Sequence, residues 1–161
     1  MARSRVNGAQ FRSDLETVAT LREHFSLFHS PAYEPYCFGK RWLSDAHRAF
    51  IQPLLESLLG PIGEVMTHLS LKNGQTELDR EQRWCRGFPH IHHWDNAATL
   101  IHFLAVPEGG GEFVWIDDEG EHEVTPEVGL IVACDGHTSH GVRPVLGTQD
   151  RIALITTGWA A

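Results

Sequence analysis

The chain has 161 residues, a net charge of −8 and 42% hydrophobic residues. That length supports one domain with a buried core, so we expect a single domain over residues 1–161. The acidic balance argues against duplex nucleic acid or an anionic membrane as the main partner. Three cysteines at unrelated spacings indicate neither a disulfide framework nor a zinc site. With no apolar run of about eighteen residues, the sequence predicts a cytoplasmic protein.

Residues 1–62 carry the periodicity of helices and are interpreted as a helical support segment. Apolar residues at steps of three and four predict an amphipathic helix over residues 10–28. Residues 35–42 are rich in aromatics and are compatible with a strand. Ser44 and Asp45 can begin a second helix that ends at Gly60, with Pro53 either kinking it or setting its first turn.

From residue 63 onward, short apolar runs bounded by Gly, Pro, Asn and Asp replace helical periodicity. This pattern is typical of a β-barrel or sandwich, so the fold is predicted to be mainly β with N-terminal helices. A hairpin turn is expected at residues 117–120, and the polar segment between Lys72 and Pro89 is interpreted as a lid or an insertion. The predicted strands are 65–71, 91–95, 99–106, 112–116, 121–125, 128–133, 140–144 and 151–157.

Metal-binding side chains are concentrated between His90 and Asp95. His93 and Asp95 have a His-x-Asp spacing, which projects both side chains to one side of an extended backbone. The third ligand has two candidates, His137 and His140, and only His140 is followed by Val at plus two and Pro at plus four. Two histidines and a carboxylate with open coordination positions are the ligand set of a non-haem Fe(II) oxygenase.

Arg151 is the candidate partner for an anionic group of a 2-oxo diacid. It opens the apolar run that follows a predicted turn at residues 146–148, and this turn is expected to bring its strand beside the strand of His140. A guanidinium can hold a carboxylate through two parallel hydrogen bonds. If Arg151 points inward, Ala153 and Ile155 do so too, and Ala153 leaves room for a ligand.

Ordered motifs over residues 63–159 resemble the 2-oxoglutarate and Fe(II)-dependent dioxygenase superfamily, and among its members the prolyl-hydroxylase-like enzymes. The match comprises His93-Trp94-Asp95-Asn96, the apolar run 99–104, Gly110-Gly111-Glu112-Phe113, Pro126-Glu127-Val128-Gly129, His140-Gly141-Val142-Arg143-Pro144, Arg151 and Trp159. The resemblance implies a double-stranded β-helix (jelly-roll) barrel over residues 63–161. It also implies Fe(II) bound by His93, Asp95 and His140, with dioxygen and 2-oxoglutarate as cosubstrates. Arg151 would bind the C5 carboxylate of 2-oxoglutarate and Val142 would line its pocket.

The sequence departs from this family at a second contact to the C5 carboxylate. Prolyl-hydroxylase-like members often place a Tyr hydroxyl there, and the corresponding position is Phe103. His102, His68 and Thr99 are the candidates that can replace the hydroxyl. Asp95 also occupies the position that a halide would need, which argues against a halogenase.

The sequence therefore predicts an enzyme that decarboxylates 2-oxoglutarate and oxidises a small molecule, such as an amino-acid derivative or a specialised metabolite. Hydroxylation is the expected outcome. Two alternatives remain open. A cupin-type metalloenzyme would use His90, His92 and His140, although Asn96 and Ala97 stand where cupins place a Glu. A non-catalytic ligand-binding module could also retain the barrel.

Overall fold

The computed structural model describes residues 6–26, 36–72 and 91–161. Within these ranges the chain forms two helices and eleven strands, and every strand pairing is antiparallel. The helices are α1 (Leu15–Ser26) and α2 (Asp45–Leu59). The strands are β1 (Gln10–Arg12), β2 (Tyr36–Gly39), β3 (Ile62–Lys72), β4 (Ala97–Ala105), β5 (Gly109–Gly110), β6 (Phe113–Asp117), β7 (Gly120–Val124), β8 (Leu130–Asp135), β9 (Ser139–Val142), β10 (Val145–Leu146) and β11 (Arg151–Ala160).

The strands form one large and two small sheets. The large sheet has the order β1-β8-β4-β11-β3-β2, the three-stranded sheet has the order β7-β6-β9, and β10 pairs with β5. Inward-facing side chains of the large sheet pack against β6 of the three-stranded sheet. This core contains Ile101, Phe103, Phe113, Trp115, Leu130, Val132, Cys134 and Ala153.

Both helices cover the opposite face of the large sheet. Because side chains alternate along a strand, the residues between the inward-facing ones point to the helices. Val18 and Leu21 of α1 pack on this face, as do Ile51 and Leu55 of α2. The strand residues in these two clusters are Leu69, Ala98, Leu100, Leu104, Ile131, Ala133 and Leu154.

Helix α2 begins and ends at the predicted residues. The Ser44 hydroxyl accepts a hydrogen bond from the His47 N–H, and the Gly60 N–H donates to the Glu56 carbonyl. Inside the helix, the Leu43 N–H donates to Nδ1 of His47, so Nε2 carries the proton and donates to Thr156 Oγ1 at 3.0 Å. This buried histidine therefore ties the helix to β11.

Most predicted elements are confirmed within a few residues, including the hairpin at residues 117–120. The prediction of a strand over residues 91–95 is wrong, because residues 91–94 have no regular structure and Asp95 lies in a turn. The helix predicted from residue 10 begins at Leu15, and residues 10–12 form β1 instead. Helix α2 runs through Pro53 in its interior, so this proline does not set the first turn. The segment interpreted as a lid lies, apart from Lys72, outside the described residues.

The pairing predicted for the strand of Arg151 is also wrong. Strand β11 pairs with β3 and β4 of the large sheet, whereas β9, the strand of His140, pairs with β6. The chain changes sheets because β10 pairs with β5 before residues 147–150 lead into β11.

No helix among the described residues combines the length and apolar character needed to span a membrane.

Candidate functional site

A cavity of about 420 Å³ lies between the two main sheets. Strands β3, β4 and β11 form one wall, and β6 and β9 form the other. The lining residues are Met66, His68, Ser70, Leu71, Lys72, His92, Trp94, Thr99, Ile101, Phe113, His140, Gly141, Val142, Arg151, Ile155 and Thr157. Most of the cavity surface is apolar, although three histidines, three hydroxyl-bearing residues and the cations Lys72 and Arg151 also line it.

Strand alternation explains which residues of β11 face the cavity. Arg151, Ile155 and Thr157 line it, and Ala153 lies on the same face in the core cluster. This confirms the prediction that Ala153 and Ile155 share the orientation of Arg151. Opposite these residues, β3 contributes Met66, His68, Ser70 and Lys72, which stand across from Thr157, Ile155, Ala153 and Arg151 in register.

Arg151 is completely buried and held by the backbone. Its Nε donates to the Gly111 carbonyl at 2.8 Å, and its guanidinium carbon lies 5.1 Å from the centre of the Phe103 ring. Gly111 has a φ of +72°, and a Cβ there would lie 2.9 Å from Cδ of Arg151. A glycine at this position therefore lets the backbone approach and position the arginine side chain.

His140 and Val142 enter the same cavity from β9. His140 Nδ1 lies 2.8 Å from the Thr138 carbonyl, which can only accept, so Nδ1 carries the proton. Nε2 then has the lone pair that a metal ion requires. Burial lowers the pKa of His140 below the usual histidine value, against a smaller opposing effect of the Thr138 carbonyl. The imidazole is therefore neutral near pH 7.

His92 is the second imidazole close to His140. Their ring centres are 5.2 Å apart, and His92 stacks on Trp94 with ring centres 4.0 Å apart. Burial lowers the pKa of His92, and the neighbouring His140 lowers it further. Burial also lowers the pKa of His68 to about 4, with a further contribution from His92. The cavity thus contains imidazoles held in their neutral, metal-binding form.

His93 and Asp95 lie outside the cavity lining. His93 has a φ of +60° and Asn96 a φ of +53°, so the backbone turns at both positions and the alternation assumed for an extended strand does not apply. Asp95 Oδ1 lies 2.6 Å from Nε2 of His137, and the Asp95 side chain is 87% exposed. In this conformation the structure brings together His92, His140, Val142 and Arg151.

Two of the three candidates for a second carboxylate contact line the cavity. Thr99 and His68 do so, and Thr99 shares a hydrogen bond of 2.9 Å with Thr157. His102 belongs to the opposite face of β4, where its Nε2 lies 2.7 Å from Ser13 Oγ. The structure therefore places His102 against the helical layer, away from the site.

The inward positions of Met66, Ser70 and Lys72 on β3 were not predicted from the sequence, and His92 was considered only as a ligand of a cupin-type site. The predicted strand over residues 65–71 alternates the apolar residues Val65, Leu69 and Leu71 with the polar residues His68 and Ser70. This alternation indicates that His68 and Ser70 share one face of the strand. No comparable signal existed for His92, because residues 91–94 have no regular structure whose alternation could indicate its orientation.

The residues of the cavity fit a metal ion in part. His140 and His92 offer imidazole nitrogens, but the described lining residues include no carboxylate. Elsewhere, Asp117, Glu119 and His122 have ligand atoms within 4.8 Å of one another, the one such trio among the described residues. It lies at the tip of the β6–β7 hairpin, where His122 already hydrogen-bonds Asp117 at 2.9 Å.

No protein-family model matches the sequence. No curated protein matches it significantly either. Solved structures do match. A Pseudomonas putida prolyl-4-hydroxylase superposes with a TM-score of 0.67 at 16% identity, covering 98% of this chain and 94% of that chain. SnoN, a non-haem α-ketoglutarate-dependent epimerase from nogalamycin biosynthesis, has a TM-score of 0.71 at 17% identity, with coverages of 98% and 79%.

Iron-bound HygX from Streptomyces hygroscopicus has a TM-score of 0.66 at 10% identity, with coverages of 97% and 83%. The chain thus shares the fold of these three solved structures, of which SnoN is α-ketoglutarate-dependent. This confirms, at the level of the fold, the resemblance to the superfamily and to its prolyl-hydroxylase-like members.

Proposed function

We propose that the protein is an Fe(II)- and 2-oxoglutarate-dependent oxygenase that hydroxylates a small molecule. The observation that carries the proposal is the convergence of His140, Val142 and Arg151 on one cavity in this fold. In the balanced reaction, the substrate, 2-oxoglutarate and dioxygen give the hydroxylated product, succinate and carbon dioxide. The proposal includes a double-stranded β-helix over residues 63–161, supported by residues 1–62 in a single domain.

Each residue has a distinct role in this proposal. When bound, Fe(II) supplies the site at which 2-oxoglutarate and dioxygen react. His140 contributes Nε2, and its hydrogen bond to Thr138 fixes the ring orientation. Arg151 binds the C5 carboxylate, and the Gly111 carbonyl orients the guanidinium for that contact. Val142 lines the 2-oxoglutarate pocket, and the apolar walls exclude water.

The cavity supports a small-molecule substrate. Sites for small ligands are typically about 300–1,000 Å³ and largely apolar, with a few polar groups that fix orientation. The volume of about 420 Å³ falls in that range. SnoN, which has the same fold, is an enzyme of nogalamycin biosynthesis. An amino-acid derivative or a specialised metabolite is the substrate class that we propose.

The proposed iron ligands are His93, Asp95 and His140. For Asp95 to reach His140, its contact with His137 must break and residues 91–96 must change conformation. A carboxylate belongs to the two-histidine, one-carboxylate set that binds Fe(II), so binding of the ion can supply the free energy for this change. A second candidate, a cupin-type metal centre, is favoured by the close approach of His92 to His140. His90, its third ligand, lies outside the described residues.

Single alanine substitutions separate the two ligand sets. We expect Asp95→Ala to abolish both anaerobic Fe(II) binding and succinate formation, while His92→Ala retains iron. His122→Ala is the control, because it removes one member of the partly exposed trio on the hairpin and His122 does not line the cavity. Loss of iron in His92→Ala with retention in Asp95→Ala would instead support the cupin-type centre. Succinate release in the presence of a panel of metabolites then identifies the substrate.

A further inference from the structure

A second cation faces the cavity directly beside Arg151. Lys72 is the last residue of β3, and its Cα stands opposite that of Arg151 in the antiparallel register. Both side chains line the same cavity. Residues directly opposite each other on one face of a sheet have Cβ atoms about 4.5–5.5 Å apart, so their charged ends can reach one common group.

The two side chains bring a guanidinium and an ammonium group to one end of the cavity. Arg151 is completely buried and a guanidinium stays protonated at any physiological pH. A carboxylate at this end of the cavity would be within reach of both side chains. This end of the cavity therefore has the charge and the position of a binding site for a carboxylate.

The surroundings favour one carboxylate shared by both cations. Ala153 and Ser70 form the next pair in the register and are small, which leaves room for the chain that carries the carboxylate. Phe103 lies under the guanidinium and brings no hydroxyl to the site. An ionised carboxylate has two oxygens and about four lone-pair positions, enough for Arg151 and a second donor.

We propose that Lys72 binds the C5 carboxylate of 2-oxoglutarate together with Arg151, and so supplies the contact that a Tyr hydroxyl provides in prolyl-hydroxylase-like enzymes. This inference rests on the proposed function. Lys72 replaces a neutral donor by a charged one, so the site selects 2-oxo acids with a second carboxylate.

The test is the affinity of the full chain, loaded with redox-inert Mn(II), for two ligands measured by calorimetry. The ligands are 2-oxoglutarate and 2-oxopentanoate, which has the same carbon chain without the distal carboxylate. Lys72→Met keeps the aliphatic stem and removes the charge. We expect it to weaken 2-oxoglutarate binding roughly tenfold to a hundredfold, the cost of one charge-assisted hydrogen bond, and to leave 2-oxopentanoate unaffected.

Two further variants complete the design. Lys72→Arg restores the charge and is expected to recover most of the affinity. Lys40→Met is the matched control, since Lys40 is an exposed lysine that pairs with Glu64 outside the cavity. It is expected to bind both ligands as the wild type does.

The inference about Lys72 is overturned if Lys72→Met binds 2-oxoglutarate like the wild type, or if it loses both ligands equally. In either case wild-type binding of 2-oxoglutarate leaves the proposed function standing. If the wild-type protein itself does not distinguish the two ligands, both the proposed function and the role of Lys72 fail.

Discussion

Replacing Gly111 by Ala tests how the backbone positions Arg151. Gly111 has a φ of +72°, and an added Cβ would lie 2.9 Å from Cδ of Arg151, 3.2 Å from Cγ of Pro107 and 3.3 Å from Nε of Arg151. The side chain of Arg151 must therefore shift, while its Nε–H loses alignment with the Gly111 carbonyl. Both effects act on the group that we propose to bind 2-oxoglutarate.

The size of the effect follows from these contacts. A non-glycine residue in a left-handed conformation costs about 1–3 kcal/mol, so we expect a loss of stability of this order. Misalignment of the guanidinium removes a charge-assisted hydrogen bond to the ligand, which costs about 1.5–3 kcal/mol. We therefore expect 2-oxoglutarate affinity to fall by roughly one to two orders of magnitude.

Gly60→Ala is the matched control. Gly60 has a similar φ of +78°, but nothing lies within 4 Å of an added Cβ. It is expected to lose stability in urea unfolding through backbone strain alone and to keep its affinity for 2-oxoglutarate. If Gly111→Ala retains wild-type affinity in calorimetry despite the close contact, Arg151 does not act as we propose.

Two further predictions concern groups outside the site. Burial lowers the pKa of His102 to about 4, whereas the unfolded chain titrates near 6.5. Between these two values the unfolded state binds more protons than the folded state. The stabilisation that His102 provides above pH 6.5 is therefore lost as the pH falls towards 4. We expect the free energy of unfolding, measured in urea, to fall by about 3 kcal/mol over this range. His102→Gln should remove this part of the pH dependence, and an unchanged profile would contradict the assignment. Burial likewise raises the pKa of the Cys134 thiol to about 12, so mass-spectrometric mapping should find it unreacted with a thiol reagent until urea unfolds the protein. Labelling of the native chain at Cys134 would refute this.

The longer elements were predictable because their patterns are local. The apolar stripe of α2 and the alternation along β11 each involve residues close together in the sequence. Both patterns correctly predicted which side chains face inward. Strands β1, β5 and β10 were missed because they have two or three residues each and exist only through distant partners. The change of sheet before Arg151 likewise depends on the pairing of β10 with β5.

Part of the candidate site was also predictable from the sequence. His140, Val142 and Arg151 line one cavity, although Arg151 arrives from the opposite sheet. The placement of His93 and Asp95 was not predictable from spacing, because the left-handed backbone at His93 breaks the alternation that the spacing assumes. Lys72 was not predicted as a site residue, because Arg151, its partner in the register of β3 and β11, is far away in the sequence.

The most direct test of the central claim is anaerobic addition of Fe(II) and 2-oxoglutarate to the protein, followed by visible absorption spectroscopy. The proposed function predicts a charge-transfer band that requires both additions and disappears in His140→Ala, whose imidazole lines the cavity. His122→Ala, at a residue outside the cavity lining, should keep the band. Absence of the band in a wild-type protein that binds another ligand would contradict the proposal.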